Sequence, residues 1–316
     1  MKSILFATLV ALTSTAFAAP AADGPAADCE GVKFATGPKG KGYSNLFADV
    51  KKIVGDKVQL CEVNTTGGLD NLNALSTKEA DIGLVQVDTW KTMKTGDENI
   101  AKLQSLVVLN HNYLHVVTSA SGFAIAGEKK FGGLMKGDNK VVVINGFSDL
   151  RSQRVAAVGS AQLLIRQLDK QLGFAMQVVD VKDDNAAFEM VKTGQVAAAV
   201  TVSGWPSGTI KALTQQSNLT LVPFNVAVGE PYKVKPLNYK NLAVYNNNSL
   251  GVQNVLVTRE FTGARAANVA AVQAAIIQNL SELKEGNYQP GWNEVSVGAT
   301  VPEMSPFKSG AVAKKK

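Results

Sequence analysis

Short apolar runs alternate with glycine-containing turns and amphipathic stretches along most of this chain. The first unit consists of a predicted strand at residues 32–36, the turn GPKGKG and a helix that carries Leu46, Val50, Ile53 and Val54 on one face. Such an alternation of strand, turn and helix is typical of α/β proteins. We therefore predict an α/β fold whose strands are mostly parallel.

Two segments repeat the order strand, polar turn, helix, polar turn, strand. They are VQLCEVNTTGGLDNLNALSTKEADIGLVQVD at residues 58–88 and MQVVDVKDDNAAFEMVKTGQVAAAVTVSG at residues 176–204. A chance echo between two such units is the alternative, because the match lies in pattern more than in identity. A strand at residues 251–258 and a long helix at residues 264–283 are expected to return to the first lobe. We predict lobe 1 from residues 29–118 and 250–316, and lobe 2 from residues 119–249.

The first eighteen residues predict a secretory signal peptide. Lys2 precedes an apolar run at residues 4–12, and the sequence AFA at residues 16–18 has the small-x-small pattern of a cleavage site. The run is shorter than the roughly 20 residues that span a bilayer, and residues 19–28 read as a flexible leader. We expect a soluble, monomeric protein in the periplasm.

The two cysteines, Cys29 and Cys61, are predicted to form a disulfide because the signal peptide directs the chain to an oxidising compartment. A catalytic thiol is the alternative.

The net charge gives no support for nucleic-acid binding, since the excess of positive residues includes Lys2 and the terminal run at residues 314–316. No stripe of arginine and aromatic residues accompanies them.

Four turns that end a predicted strand and begin a predicted helix contain small residues. They are GKGYS at residues 40–44, TTGG at 65–68, GSA at 159–161 and SGWPS at 203–207, two in each lobe. Glycine lets the backbone approach a ligand, and the first N–H groups of a helix favour an anion. We predict that a small ligand, favoured to be a carboxylate, binds between the lobes and couples their closure to binding.

The predicted ligand contacts lie in these turns or at the end of the third strand. They are Lys41, Gly42, Tyr43, Ser44, Thr66, Gly67, Gly68, Asn71, Gln86, Asp88, Ser160, Ser203 and Trp205.

Several of these residues have structural alternatives. Lys39 and Lys41 are alternatively solvated loop lysines, Tyr43 and Trp205 pack against helix ends, and Asp88 caps the next helix.

A search for catalytic and metal-binding motifs finds little. His111 and His115 are four residues apart, but β-branched residues follow them, so we interpret the segment as a loop that enters a strand. The chain has no GxSxG, HExxH, Walker or dinucleotide-binding motif. We therefore predict no metal, no cofactor and no enzymatic activity.

The motifs at residues 34–47, 65–88 and 202–213 resemble those of the TAXI family of solute-binding proteins, the extracytoplasmic components associated with TRAP transporters. The resemblance rests on Gly42-Tyr43, Thr66-Gly67-Gly68, Glu79-Ala80-Asp81, Val85-Gln86-Val87-Asp88 and Gly204-Trp205-Pro206, with Asp149-Leu150, Arg154-Val155 and Gly159-Ser160 as further landmarks.

This resemblance implies a type II periplasmic-binding-protein fold, in which hinge strands join two α/β lobes around a ligand cleft. It also implies ligands such as glutamate or 2-oxoglutarate, and TRAP membrane subunits as partners. The chain departs from the family pattern where Ser44 replaces a second aromatic residue, Leu69 replaces serine and Ala161 replaces glycine. We do not transfer the ligand, because these changes touch the predicted pocket. A ligand-presenting sensor without transport and a hydrolase or lyase on the same scaffold remain alternatives.

Overall fold

The computed structural model describes residues 29–130, 135–242 and 244–308. The predicted signal peptide at residues 1–18, the leader at 19–28 and the lysines at 314–316 lie outside the described residues.

The strands form one ten-stranded sheet and a separate hairpin. The sheet has the order β2-β1-β3-β12-β4-β9-β7-β8, with β10 paired to β4 and β11 to β12, while β5 pairs with β6. The strands are β1 (Val32–Ala35), β2 (Leu60–Val63), β3 (Ile82–Gln86), β4 (Gln104–Ser119), β5 (Phe123–Lys130), β6 (Met135–Val142), β7 (Arg154–Val158), β8 (Gln177–Val181), β9 (Ala198–Ser203), β10 (Leu219–Leu221), β11 (Tyr232–Tyr239) and β12 (Val244–Thr258).

Helices follow most of the parallel strands. They are α1 (Gly42–Val54), α2 (Gly68–Ser76), α3 (Val87–Met93), α4 (Glu98–Ala101), α5 (Ala161–Leu172), α6 (Asp184–Lys192), α7 (Gly208–Lys211), α8 (Gly263–Gln278) and α9 (Leu280–Glu285). The sequence fixes two of the helix ends: α1 stops at Gly55 and α5 at Gly173, which adopt the positive φ angles of 56° and 62° that glycine tolerates.

Two sets of parallel strands form the two lobes. We call lobe 1 the half built on β1–β3, and lobe 2 the half built on β7–β9. In lobe 1, β1 lies between β2 and β3, and in lobe 2, β7 lies between β8 and β9; all four pairings are parallel. The predicted α/β fold is confirmed. The expectation of mostly parallel strands is wrong, because β4, β10, β11 and β12 pair with their neighbours in antiparallel register.

Apolar side chains cover both faces of each set of strands. In β1, Phe34 packs in the core that contains α1 and α8, whereas Ala35 packs in the core that contains α2 and α3. In β7, Val155 packs with α5 and Ala156 packs with α6. Strands buried on both faces read as continuous apolar runs, which is why these segments stand out in the sequence.

Two long strands run from one lobe into the other. β4 and β12 pair with each other in antiparallel register from Gln104 opposite Thr258 to Tyr113 opposite Gly251. β4 continues beside β9 in lobe 2, and β12 beside β3 in lobe 1. They are longer than the strands predicted at residues 114–118 and 251–258. The predicted lobe boundaries at residues 118 and 249 fall inside these strands and stay predictions.

Two local details differ from the sequence interpretation. The helix expected at residues 264–283 is divided into α8 and α9 at Asn279, whose φ and ψ of −103° and 17° leave the helical range. His111 and His115 both lie within β4, and no loop precedes them.

The disulfide joins Cys29, which precedes β1, to Cys61 in β2. The two Cα atoms are 6.3 Å apart, within the usual range for this bond. It therefore ties the first described residues to the edge strand of lobe 1.

We predict that replacing both cysteines (Cys29→Ala with Cys61→Ala) lowers the free energy of unfolding by about 3 to 4 kcal/mol, because the disulfide closes a loop with a sequence separation of 32. Urea unfolding followed by circular dichroism measures the change. Reduced wild-type protein is the control and should lose the same amount. An unchanged unfolding midpoint in both samples would contradict the prediction.

Candidate ligand cleft between the lobes

A cavity of about 690 Å³ lies between the two lobes. Lobe 1 contributes Pro38, Lys41 and residues 66–70, which follow β1 and β2. Lobe 2 contributes residues 158–160 and 181–185, which follow β7 and β8, and the first half of α5. The cavity therefore lies at the carboxyl ends of parallel strands from both lobes, where open α/β sheets bind ligands. Its volume is within the roughly 300–1,000 Å³ of small-molecule sites.

Five of the thirteen predicted contacts line this cavity: Lys41, Thr66, Gly67, Gly68 and Ser160. The other eight do not form its wall: Gly42, Tyr43, Ser44, Asn71, Gln86, Asp88, Ser203 and Trp205. Several wall residues were not predicted, above all Leu69 and the residues around Asp184 at the start of α6. The echo of residues 58–88 in residues 176–204 aligns the turn before α6 with the turn before α2, and this is the signal that would have found them.

Hydrogen bonds hold the turn before α2 in a fixed shape. The Thr65 hydroxyl donates to Asn71 Oδ1 at 2.7 Å, and the Gly67 N–H donates to Thr65 Oγ1 at 3.1 Å. Gly67 has a φ of 139°, which side-chain-bearing residues rarely adopt. Because the turn is held in this way, the first N–H groups of α2, which have no acceptor within the helix, face the cavity with a positive end of the helix dipole.

Asn71 is a structural residue of this turn. It is fully buried, and its Nδ2 donates to the Leu84 carbonyl at 2.6 Å and to the Thr36 carbonyl. With Thr65 on its oxygen, all of its hydrogen-bonding partners belong to the protein. Asn71 therefore connects the ends of β1 and β3 beneath the cavity.

Gln86 lies directly behind the start of α2. It is 2% exposed, and its Nε2 has no hydrogen-bond partner among the described residues. A Cβ added to Gly68 would come within 4.0 Å of Gln86 Oε1, so the carboxamide is next to the cavity wall. An unsatisfied buried donor costs about 1–3 kcal/mol, which a ligand acceptor at this point would recover.

Asp88 is a buried carboxylate near the hinge strands. Burial raises its pKa from its ordinary value of 3.8 to about 6, against hydrogen bonds from Thr89 that lower it. The carboxylate also contributes to raising the pKa of Tyr43 in lobe 1 and of Tyr232 in lobe 2, after burial as the main cause. Asp88 lies in the first turn of α3, and its carboxylate accepts a hydrogen bond from the Thr89 N–H at 2.7 Å. It therefore also satisfies one of the N–H groups at the start of this helix.

Tyr43 and Ser44 also hold the scaffold. The Tyr43 hydroxyl donates to Asn254 Oδ1 at 2.8 Å, and Asn112 Nδ2 donates to the Tyr43 hydroxyl at 3.4 Å. Both asparagines belong to the long strands. The Ser44 hydroxyl accepts from the Gly40 N–H at 3.2 Å and closes the turn before α1, whose first residue is the exposed Gly42.

Ser203 belongs to a buried chain of polar groups whose members carry hydroxyl, imidazole and backbone N–H groups. His115 Nδ1 is 3.4 Å from Ser203 Oγ and His115 Nε2 is 2.7 Å from the Tyr239 hydroxyl, which accepts from the Ser207 N–H. Burial lowers the pKa of His115 from 6.5 to about 4. The histidine is therefore neutral, and the third group that a serine hydrolase needs to orient it is a tyrosine here.

Trp205 packs away from the cavity, against the core that contains Tyr239. Lys235 lies 5.5 Å from its ring and 5.6 Å from the ring of Tyr113. Lys235 also contacts Glu294 at 3.1 Å. Trp205 therefore belongs to a polar and aromatic cluster beside the hinge.

Glu294 binds His111 in the same cluster. The His111 N–H donates to Glu294 Oε2 at 3.0 Å, and His111 Nδ1 lies 3.0 Å from the same oxygen. Burial would raise the pKa of Glu294, but hydrogen bonds from His111 and Lys235 lower it to about 2.

Among the described residues no three histidine, cysteine, aspartate or glutamate side chains are grouped so as to hold a metal.

The two lobes touch beside the cavity. Gln167 Nε2 on α5 donates to the Thr92 hydroxyl on α3, and the Tyr232 hydroxyl donates to Gln167 Oε1 at 3.4 Å.

In the part of the chain that the structure describes, no helix is both long and apolar enough to cross a bilayer.

Comparison with known proteins identifies a family and a fold. A family model described as "NMT1-like family" matches residues 34–312. The chain is similar in structure to Tv2483 bound to L-arginine, with a TM-score of 0.50, 10% identity, and coverage of 85% of this chain and 94% of that chain. At this identity the likeness shows the fold, that of the type II periplasmic substrate-binding proteins. No curated protein sequence matches.

Two further solved structures are similar at lower TM-scores. One is the amino acid ABC transporter substrate-binding protein AbpA from Streptococcus pneumoniae Canada MDR_19A, bound to L-arginine, with 13% identity, a TM-score of 0.46, and coverage of 79% of this chain and 89% of that one. The other is an ATP phosphoribosyl transferase complex from Thermotoga maritima, with 12% identity, a TM-score of 0.44, and coverage of 78% and 99%.

Asp88 and His115 should give the stability of the protein opposite dependences on pH. The raised pKa of Asp88 contributes stability below pH 3.8 that is lost as pH rises through 6. The lowered pKa of His115 contributes stability above pH 6.5 that is lost as pH falls through 4. The two slopes therefore offset each other between pH 4 and pH 6 in the wild-type protein.

We predict that Asp88→Asn gains stability and His115→Gln loses stability as pH rises from 4.5 to 6, relative to the wild-type protein. Each difference should approach about 1.4 kcal/mol per pH unit. Urea unfolding at four pH values measures both slopes. Equal slopes in the two variants would show that these groups are not buried as the structure has them.

Proposed function

The chain belongs to the NMT1-like family, and on that basis we propose that it is a periplasmic receptor that closes two lobes around a small molecule bearing a carboxylate. The cavity between the lobes carries the proposal, because turns from both halves form its walls. A ligand that contacts both walls favours the closed arrangement over the open one, which is how binding drives closure.

The carboxylate is assigned to the start of α2. Gly67 and Gly68 leave room at the cavity wall, and the N–H groups of the first turn have no acceptor within the helix. Gln86 Nε2, buried behind Gly68, has no partner among the described residues. Lys41 adds positive charge on the same lobe. Asp70 is the acidic residue of this wall, and its carboxylate accepts from the Thr66 N–H at 3.3 Å. The N–H groups at the start of α2 are therefore the part of the cavity that suits an anion.

Delivery to a TRAP-type transporter is part of the proposal. It rests on the resemblance of the turn motifs to those of the TAXI family, including Thr66-Gly67-Gly68 and Val85-Gln86-Val87-Asp88. The signal-like residues 1–18 support a periplasmic location. We propose a monomer without a cofactor whose partners are the ligand and the membrane subunits.

A binding role is favoured over catalysis by the chemistry around the cavity. Burial raises the pKa of Asp88 to about 6, toward neutrality, but Asp88 does not form the cavity wall. Burial lowers the pKa of His115 to about 4, away from neutrality, and His115 does not form the wall either. His115 is 1% exposed and held between Ser203 and Tyr239, so it has no path to a substrate in the cavity.

Calorimetric titration tests the receptor proposal. The purified protein should bind at least one member of a panel of small mono- and dicarboxylates, with a one-to-one stoichiometry and a raised melting temperature. Titration of amino acids, sugars and polyamines completes the panel. Protein that is folded by circular dichroism but binds none of these compounds would exclude the proposal.

Gln86→Met should separate ligand binding from stability. It removes a donor that has no protein partner, so we expect unchanged or slightly higher stability, while carboxylate affinity falls about tenfold. The matched variant Asn71→Leu removes an amide with three protein partners and should cost about 2–4 kcal/mol of unfolding free energy. Full affinity in Gln86→Met would move the carboxylate away from α2.

A further inference from the structure

Two leucines face the cavity from opposite lobes. Leu69 is the second residue of α2 and Leu163 is the third residue of α5, and both line the cavity. Neither belongs to any of the four apolar cores of the described residues. Leu69 is 37% exposed, one of the few large apolar side chains in the described residues that remain so open to solvent.

The surface around these leucines is also apolar. Pro38 in lobe 1 and Val158 and Val181 in lobe 2 line the same cavity. Both valines are partly exposed and also pack against a core of lobe 2. Polar residues of both walls, among them Thr66 and Gln162, lie between these apolar residues. Apolar side chains on a concave surface with interspersed polar groups are typical of a site that binds the apolar part of a ligand.

The charges of the cavity leave room for one anionic group. Arg166 is paired with Asp180 at 2.7 Å, and Lys182 lies 3.8 Å from Asp183. Lys41 forms no salt bridge with the residues that the structure describes, and it lies on the α2 side. The same side carries Asp70, whose carboxylate is held by the Thr66 N–H at 3.3 Å. The opposite wall carries Asp184, whose Oδ1 is buried and has no partner among the described residues.

A second carboxylate on the ligand would therefore meet negative charge in lobe 2. The Asp184 carboxylate stands at the cavity wall, and the lobe 2 cations of the wall, Arg166 and Lys182, already have acidic partners in Asp180 and Asp183. Like charges at close distance in a partly desolvated cleft repel strongly. One carboxylate of a dicarboxylate would bind favourably at α2, and the other would be repelled at α6.

From these observations we infer that the ligand is a monocarboxylate with an apolar body, whose carboxylate binds at the start of α2 and whose body is held between Leu69 and Leu163. The inference rests on the proposed receptor function and narrows its ligand class. Closure of the lobes brings the two leucines together on the ligand and removes both from water, so the apolar contact adds to the free energy of closure.

Acids of equal chain length test the inference. Octanoate and suberate both have eight carbons and differ by the second carboxylate, and each is titrated into the purified protein by calorimetry. We expect octanoate to bind at least tenfold more tightly than suberate. In the series butanoate, hexanoate and octanoate, affinity should rise roughly fourfold per methylene group, which corresponds to about 0.8 kcal/mol.

Serine variants assign the apolar contact to the two leucines. Leu69→Ser and Leu163→Ser should each weaken octanoate binding about tenfold and flatten the chain-length series, with little effect on butanoate. Ile277→Ser is the matched control, since Ile277 is 41% exposed on α8 and does not line the cavity. It should leave both acids unaffected. Asp184→Asn should reduce the difference in affinity between octanoate and suberate, because it removes the negative charge that repels the second carboxylate.

The outcomes distinguish the inference from the function on which it rests. If suberate binds as tightly as octanoate, or if both leucine variants keep the full chain-length series, the inference is overturned and the receptor function stands. If polar ligands from the wider panel bind while the alkanoates do not, the inference is overturned in the same way. If nothing binds to folded protein, the receptor function itself fails.

Discussion

The antiparallel pairing of β4 with β12 is the constraint on which the rest of this structure depends. β12 pairs with β3 of lobe 1 and β4 pairs with β9 of lobe 2, so the pairing of β4 with β12 joins the two lobes in one sheet. Both strands also place side chains in cores of both lobes. The pairing places the turns after β1 and β2 opposite the turns after β7 and β8, and these turns form the two walls of one cavity. Two continuous strands connect the lobes, and the closure that we propose requires these strands to bend while each lobe keeps its own cores.

Polar groups collect where the long strands leave lobe 1. Tyr43 binds Asn254 and Asn112, and Glu294 binds His111 and Lys235. An apolar core cannot be continuous across a hinge that moves, because each apolar contact would be lost on opening. Hydrogen bonds and ion pairs at a partly solvated hinge are exchanged for water at little net cost. The four separate apolar cores and the polar belt between them are consistent with lobes that move as rigid bodies.

Five predicted contacts line the cavity, and all of them lie in turns where glycine or a small residue stands between a strand and a helix. These residues could be predicted from the sequence because the conformation of a glycine-containing turn depends on the few residues within it. The predicted contacts that do not line the cavity include polar and aromatic side chains next to the turns, whose direction depends on packing. Asn71 turns inward to reach Thr36 and Leu84, Ser203 faces His115, and Trp205 lies in a core under Lys235.

The sequence by itself determined the alternation of strands and helices, the glycine turns at the carboxyl ends of the strands and the pair of cysteines that forms the disulfide. These features follow from side-chain period and backbone freedom, which act over a few residues. The tertiary structure alone decided that Leu69 and Leu163 line one cavity from different lobes, that the Gln86 side chain lies behind Gly68 with its Nε2 unpaired among the described residues, and that Lys41 and Asp184 line the cavity from different lobes. Each of these relations joins residues far apart in the chain, and only the crossing of β4 and β12 between the lobes brings the two walls of the cavity face to face.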